Sequence, residues 1–189
     1  MAKLIIIAGY LAALKSTLAS RLEHDLNIMR LSKDSVKEVL GDTIGFNTRE
    51  DNKNLSQTTF NLMRMFAEQC LTHQHSIMLE SNFKSNDYKA LKTMKHYDDT
   101  HTLTIFSYGD LEVLYQRFNA REKVRHPVHK AFPITHVDVF KEAQEDYQVS
   151  DALGKVITVD TTRFTEEDYQ KLKDSIIKWK DESDETSHN

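Results

Sequence analysis

The chain alternates between short apolar runs rich in β-branched residues and longer stretches in which apolar positions return every three or four residues. The first run, Leu4-Ile5-Ile6-Ile7-Ala8, is continuous, the pattern of a strand buried on both faces of a parallel sheet. Gly9 ends it, and Leu18, Leu22 and Leu26 then recur at helical spacing with Ala19 beside them. Further strands are predicted over 27–34, 75–82, 102–107 and 155–160.

Helices fill the gaps. Ser32 is the expected N-cap of one that carries Val36, Val39 and Leu40. Residues 41–54, with Gly45 and several Asn and Asp residues, are expected to be a polar loop, and a long helix is expected over 55–73. Its core stripe reads Leu62-Met63, Phe66-Ala67 and Cys70-Leu71. Later helices are marked by Tyr88, Leu91 and Met94, by Leu111, Leu114, Tyr115 and Phe118 behind an Asp110 cap, and by Val137, Phe140, Ala143 and Tyr147. The last, with Tyr169, Leu172, Ile176 and Trp179, opens on a Thr165-x-x-Asp168 capping pattern. Strands alternating with helices predict an α/β protein: a three-layer α/β/α sandwich around a five-stranded parallel sheet with right-handed crossovers. A single domain is expected over 1–180, with a lid near 117–134 and a frayed polar tail over 181–189.

Composition narrows the class. At 189 residues, with 39% hydrophobic and 29% charged residues, the chain has the size and make-up of one globular domain. Cys70 is the lone cysteine, so neither a disulfide framework nor a zinc constellation is expected. The apolar runs are too short to span a bilayer and the start has no cleavable-signal pattern, so a cytoplasmic location and no membrane partner are expected. The net charge of -4 disfavours a broad nucleic-acid surface.

Chemistry enters at the first strand-turn-helix. A glycine-started turn followed by Lys15, Ser16 and Thr17 on the first turn of a helix is the setting of a phosphate-binding P-loop. Backbone N–H groups of the turn and the positive helix end cradle the anion. Lys15 supplies a point charge to the β- and γ-phosphates, and the Ser16 hydroxyl a ligand for Mg²⁺. The candidate nucleotide-binding set is Gly9, Ala12, Ala13, Leu14, Lys15, Ser16 and Thr17. Leu14 occupies the place of the second glycine in G-x-x-x-x-G-K-[ST], which puts the backbone geometry in question.

Asp34 falls where the second strand gives way to a helix, near the sheet edge at which ligands collect, and Lys37 follows one turn later. A phosphoryl acceptor needs a carboxylate to orient its hydroxyl and take its proton, and a cation near the developing charge; Asp34 and Lys37 can fill those roles. Glu80, at the end of the third strand, is the expected acidic partner of Ser16 at Mg²⁺. Arg117, Arg121 and Arg125 repeat every fourth residue on one helix side, suited to gripping phosphates. The His/Pro stretch after them, with His126 and His129, suits a lid that excludes water, and the histidines have no evident carboxylate partner in sequence.

Taken together, Gly9 to Thr17, Asp34-Ser35-Val36-Lys37, Leu79-Glu80-Ser81-Asn82 and Arg117 to Arg125 resemble the P-loop kinases of the small branch that includes polynucleotide 5'-hydroxyl kinases, zeta toxins and antibiotic phosphotransferases. That resemblance, over residues 3–160, implies an ATP and Mg²⁺ site at Lys15 and Ser16, an acceptor-activating acid at Asp34 with Lys37 as its basic partner, and a lid arginine among Arg117, Arg121 and Arg125. The expected activity is transfer of a phosphoryl group from ATP to a hydroxyl of a small metabolite or nucleotide, with a polynucleotide less favoured. Two alternatives stand beside it: a pseudo-kinase that binds ATP or ADP without transfer, and a toxin-like kinase acting on an activated sugar nucleotide.

Overall fold

The structure, a computed structural model, describes residues 1–130 and 134–185. Five strands form one all-parallel sheet: β1 (Lys3–Gly9), β2 (Met29–Ser32), β3 (Ile77–Glu80), β4 (His101–Tyr108) and β5 (Lys155–Asp160), in the order β2-β3-β1-β4-β5. Seven helices are described: α1 (Lys15–Leu26), α2 (Lys33–Ile44), α3 (Arg49–Thr72), α4 (Ser85–Lys92), α5 (Leu111–Glu122), α6 (Val137–Gln144) and α7 (Glu166–Glu185).

The central strand explains the layers. All seven residues of β1 are buried, so successive side chains enter opposite cores. Leu4, Ile6 and Ala8 join α3 and α4 through Phe60, Met63, Ala67, Leu71, Tyr88 and Leu91. Ile5 and Ile7 join α1 and α7 through Leu18, Leu22, Tyr169, Ile176 and Trp179. The predicted three-layer sandwich is therefore the observed fold. The chain leaves β1 toward β2 on one side and leaves β3 toward β4 on the other, and a crevice opens at the strands' carboxyl ends where such a sheet reverses direction.

Three expectations need correction. The polar stretch over 41–54 is mostly helical: α2 runs on to Ile44, and α3 starts at Arg49 behind a Thr48/Asp51 capping box. Asp42 and Asn54 lie on exposed helix turns, Asn52 is buried within α3, and Gly41 is a close-packing point where an added Cβ would lie 3.0 Å from Val128 Cγ2. The buried face of α3 is rotated from the predicted stripe: Phe60, Met63, Ala67 and Leu71 enter the core, whereas Phe66 is 49% exposed. Finally, α7 continues through Glu185, so residues 181–185 of the expected frayed tail are helical; residues 186–189 lie outside the described residues.

One position locks the strand to the loop that follows. Gly9 has a φ of 124°, and a Cβ there would sit 2.0 Å from the Ser107 carbonyl oxygen of β4. Gly9→Ala is predicted to cost about 3 kcal/mol or more, since both backbone strain and a backbone clash must be relieved. A urea midpoint within error of the parent would refute this.

Candidate functional site

The loop after β1 is shaped by tertiary contacts. Tyr10 N–H donates to Ser107 O at 2.9 Å, and Leu11 N–H donates to Gln144 Oε1 of α6 at 2.8 Å. Ala13 is fully buried against Leu114, Phe118 and Phe140, so α5 and α6 back the loop. Ala12 and Leu14 both take the left-handed conformation, with φ of 59° and 55°. Leu14 thus adopts the backbone shape that glycine ordinarily supplies, at a cost of about 1–2 kcal/mol for a residue with a side chain. The first α1 hydrogen bond runs from Leu18 N–H to Leu14 O, which leaves the N–H groups of Lys15, Ser16 and Thr17 without intrahelical acceptors.

These residues line a cleft of about 320 Å³ at the carboxyl end of the sheet, and so do Asp34, Glu80, Ser81, Asn82, Arg117, Arg121 and Arg125. Every predicted site residue except Gly9 and Lys37 lines it. Gly9 instead shapes the loop from beneath. Lys37 faces a neighbouring cavity of about 480 Å³ that shares Asp34, Ser81, Asn82 and Arg125 with the cleft. Asp34 sits in the first turn of α2, one helical step beyond the end of β2, and is exposed on the boundary between the two spaces.

Charged groups are buried at the cleft floor. Lys15 is buried, its ammonium donates to Tyr10 O, and burial pushes its pKa down to about 8 despite the opposing pull of Glu80 and Asp34. Glu80, 4% exposed, accepts from Ser16 Oγ at 3.1 Å through one oxygen. Its other oxygen is buried without a hydrogen-bond partner and has Arg30 Nη1 at 3.9 Å. A hydroxyl beside a carboxylate with an unused oxygen is the donor chemistry that a hard divalent cation takes, with phosphate and water oxygens completing its shell. Among the described residues no cluster of three or more His, Cys, Asp or Glu side chains suited to a metal occurs.

The arginines reach the cleft from α5 and the turn after it. Arg117 Nη2 donates to Thr162 O at 3.2 Å, which leaves its buried Nη1 unpartnered. Arg125 is paired with Glu122 at 2.8 Å and lies over Phe118. Residues 127–129 form one 3-10 turn, while residues 131–133 of the predicted lid lie outside the described residues.

Several participants were not legible from sequence. Gln144 holds the loop; its placement four residues after buried Phe140 was the available sign of an inward-facing polar group. The histidines do have carboxylate partners, contributed by α2. His126 Nδ1 accepts from Val128 N–H, so its Nε2–H donates to Asp42 Oδ1 at 3.0 Å. His129 pairs through Nε2 with Glu38 Oε1 at 3.0 Å and has Asp34 Oδ1 at 3.9 Å from Nδ1. Burial lowers the His129 pKa, with Asp34 and Glu38 opposing. Sequence separations of 84 and 91 residues hid both pairs.

No protein-family model matches the chain, and no curated protein matches it either. Solved structures do. A "putative kinase" from Chloroflexus aurantiacus is 24% identical over 98% of this chain and 97% of its own, with a TM-score of 0.76. The chain has the small P-loop kinase fold. A sugar kinase from Janibacter sp. shares it at 13% identity over 96% of this chain and 95% of its own, TM-score 0.62. Shikimate kinase from Acinetobacter baumannii does so at 13% identity over 95% and 93%, TM-score 0.58. Among the described residues, no helix is long and apolar enough to cross a membrane.

Two predictions test this geometry. Leu14→Val places a β-branched residue in the left-handed region and should destabilise the protein by about 1–2 kcal/mol, whereas Leu14→Gly should stay within about 1 kcal/mol of the parent; equal effects of the two in chemical denaturation would contradict the loop geometry. Because the folded protein holds the Lys15 pKa near 8 and the unfolded chain returns it toward 10.5, the unfolded state binds more protons between those values. The resulting penalty is complete below pH 8 and relieved as pH rises toward 10.5, so stability should gain over that window relative to Lys15→Met. Parallel stability-pH curves for the two proteins would rule this out.

Proposed function

We propose that the protein is an ATP-dependent phosphotransferase that moves the γ-phosphate to a hydroxyl of a small metabolite or nucleotide. One observation carries this reading: Lys15 and Ser16 on a helix N-terminus, Glu80 from the adjacent strand, Asp34 from the facing helix and Arg117, Arg121 and Arg125 all line one cleft. The open N–H groups and Lys15 bind the β- and γ-phosphates once the ammonium leaves Tyr10 O. Ser16 and Glu80 would hold Mg²⁺, which would supply neutralisation of the phosphate charge. Asp34 takes the proton of the acceptor hydroxyl as its oxygen bonds to the γ-phosphorus and the bond to the bridging oxygen breaks, releasing ADP. The arginines stabilise charge on the moving group, and their segment serves as a lid against water.

The fold supports a small hydroxyl acceptor, since a sugar kinase, a gluconokinase and shikimate kinases share it. The sequence resemblance to the polynucleotide-kinase and zeta-toxin branch supports the same chemistry, and the net charge of -4 favours a small acceptor over a polynucleotide. A second reading, ATP or ADP binding without transfer, rests on Leu14 in its left-handed conformation and on Lys15 turned onto Tyr10 O.

Calorimetric titration of ATP with Mg²⁺ is the test. We expect micromolar affinity, weakened at least about 100-fold by Lys15→Ala, in line with the loss of charge-assisted phosphate contacts. Asp34→Asn should leave that affinity intact and lower kcat about 100-fold or more against a pool of hydroxyl acceptors. Absence of ATP binding by the parent protein sinks the reading, and ATP binding without transfer to any acceptor in the pool leaves the second one.

A further inference from the structure

The cavity beside the phosphate cleft has an unusual balance of charge. Lys33 and Lys37 from the first turns of α2, Lys53 from α3 and Lys84 next to α4 line its wall, and Asp34 is the lone carboxylate among its lining residues. Some of its cations are already neutralised: Lys84 is paired with Asp146, and Arg125 with Glu122.

Lys37 is not. It is 7% exposed, and its ammonium donates to Asn52 Oδ1 at 2.7 Å and to Val128 O at 3.4 Å, both neutral acceptors. Asn52 Nδ2 donates in turn to Val128 O at 2.6 Å, so the ammonium is held in a rigid clasp between α2, α3 and the turn after α5. Lys33 likewise forms no salt bridge with a described residue; its ammonium lies 5.7 Å from the centre of the Phe60 ring. Burial lowers the pKa of both lysines. Asp34 opposes that effect at both lysines and Asp87 at Lys33, yet neither ammonium is in a salt bridge with a described residue, and desolvating such a cation is costly.

Lys33, Lys37, Arg49 and Lys53 against the single carboxylate of Asp34 leave the wall with positive charge in excess, the complement of a multiply charged anion. Lysines act as compact point charges and suit a phosphate dianion, and the guanidinium groups of Arg49 and Arg125 on the same wall are donors that phosphate also accepts. We propose that this cavity is a phosphate-binding acceptor subsite: the acceptor is an alcohol that already carries a phosphomonoester, with the phosphate seated against Lys33 and Lys37 and the free hydroxyl presented to Asp34. The direction of transfer rests on the kinase reading above; the anion subsite rests on the cavity itself. The product then carries two phosphoryl groups, so an earlier phosphorylation or phosphate-ester-forming reaction must supply the substrate.

Lys15→Ala protein, in which the nucleotide loop is disabled, isolates the subsite. It is titrated by calorimetry with inorganic phosphate and with three ligands on one carbon skeleton: glucose, gluconate and glucose 6-phosphate. We expect inorganic phosphate and glucose 6-phosphate to bind, the latter at least about tenfold tighter than gluconate or glucose, and Lys33→Met to weaken both at least about tenfold, the effect of losing one charge-assisted contact. Lys53→Ala, at an exposed position, should weaken phosphate binding and flatten its salt dependence even if Lys33→Met fails to fold. Failure of inorganic phosphate to bind, or preference for gluconate, overturns the proposal. ATP binding to the parent protein is measured separately: ATP binding with no phosphate binding to the Lys15→Ala protein rejects this subsite alone, and the converse rejects the kinase reading alone.

Discussion

The site depends on how closely β1 and β4 approach at Gly9. The Ser107 carbonyl oxygen occupies the place where any other residue would carry its Cβ, and the backbone φ of 124° is one that side chains disfavour. That approach lets Tyr10 N–H reach Ser107 O and turns the chain out of the sheet into the loop. From there the left-handed residues Ala12 and Leu14 bring the chain onto the axis of α1, which presents its open N–H groups to the cleft. The strain at Leu14 is tolerated because neighbouring residues hold the same shape: Ala13 is buried against α5 and α6, and Gln144 Oε1 accepts from the Leu11 amide.

A second constraint is buried charge. Lys15, Glu80 and Lys37 are each less than a tenth exposed, and each finds a hydrogen-bond partner inside the protein. A loop carbonyl stands against Lys15, a serine hydroxyl against one oxygen of Glu80, and an amide with a carbonyl against Lys37. Such partners are neutral and satisfy hydrogen bonds, while charge is balanced only at longer range, by Arg30 at Glu80 and by Glu80 and Asp34 at Lys15. Burying these charged groups costs stability, the trade expected where charge is held preorganised.

The same contacts join parts of the chain that are far apart. The Asn52, Lys37 and Val128 clasp and the His126–Asp42 and His129–Glu38 pairs tie the turn after α5 to α2 and α3. The helix that supplies the arginines is thereby fixed relative to Asp34, so both sides of the cleft share one register.

Much of this was legible in the chain alone. The continuous apolar run of β1 determined a doubly buried strand, and the 3.6-residue periodicity of the α1, α5 and α7 segments determined helices that had to cover the sheet. Lys15, Ser16, Asp34, Glu80 and the arginines were recognisable because each belongs to a local pattern, a loop, a strand end or a helix face, whose chemistry does not depend on distant partners. Local pattern failed at 41–54, where polar residues on exposed helix turns read as loop, and in α3, where Phe66 and Met63 are equally apolar and only the sheet's position decides which is buried. Tertiary structure alone decided that Leu14 takes a glycine-like conformation, that Lys37 faces the neighbouring cavity and not the cleft lined by Lys15, and that the histidines meet carboxylates of α2. The physical reason is common to all three: backbone strain and buried charge are settled by groups brought together from remote parts of the sequence, and neither periodicity nor spacing records which groups those are.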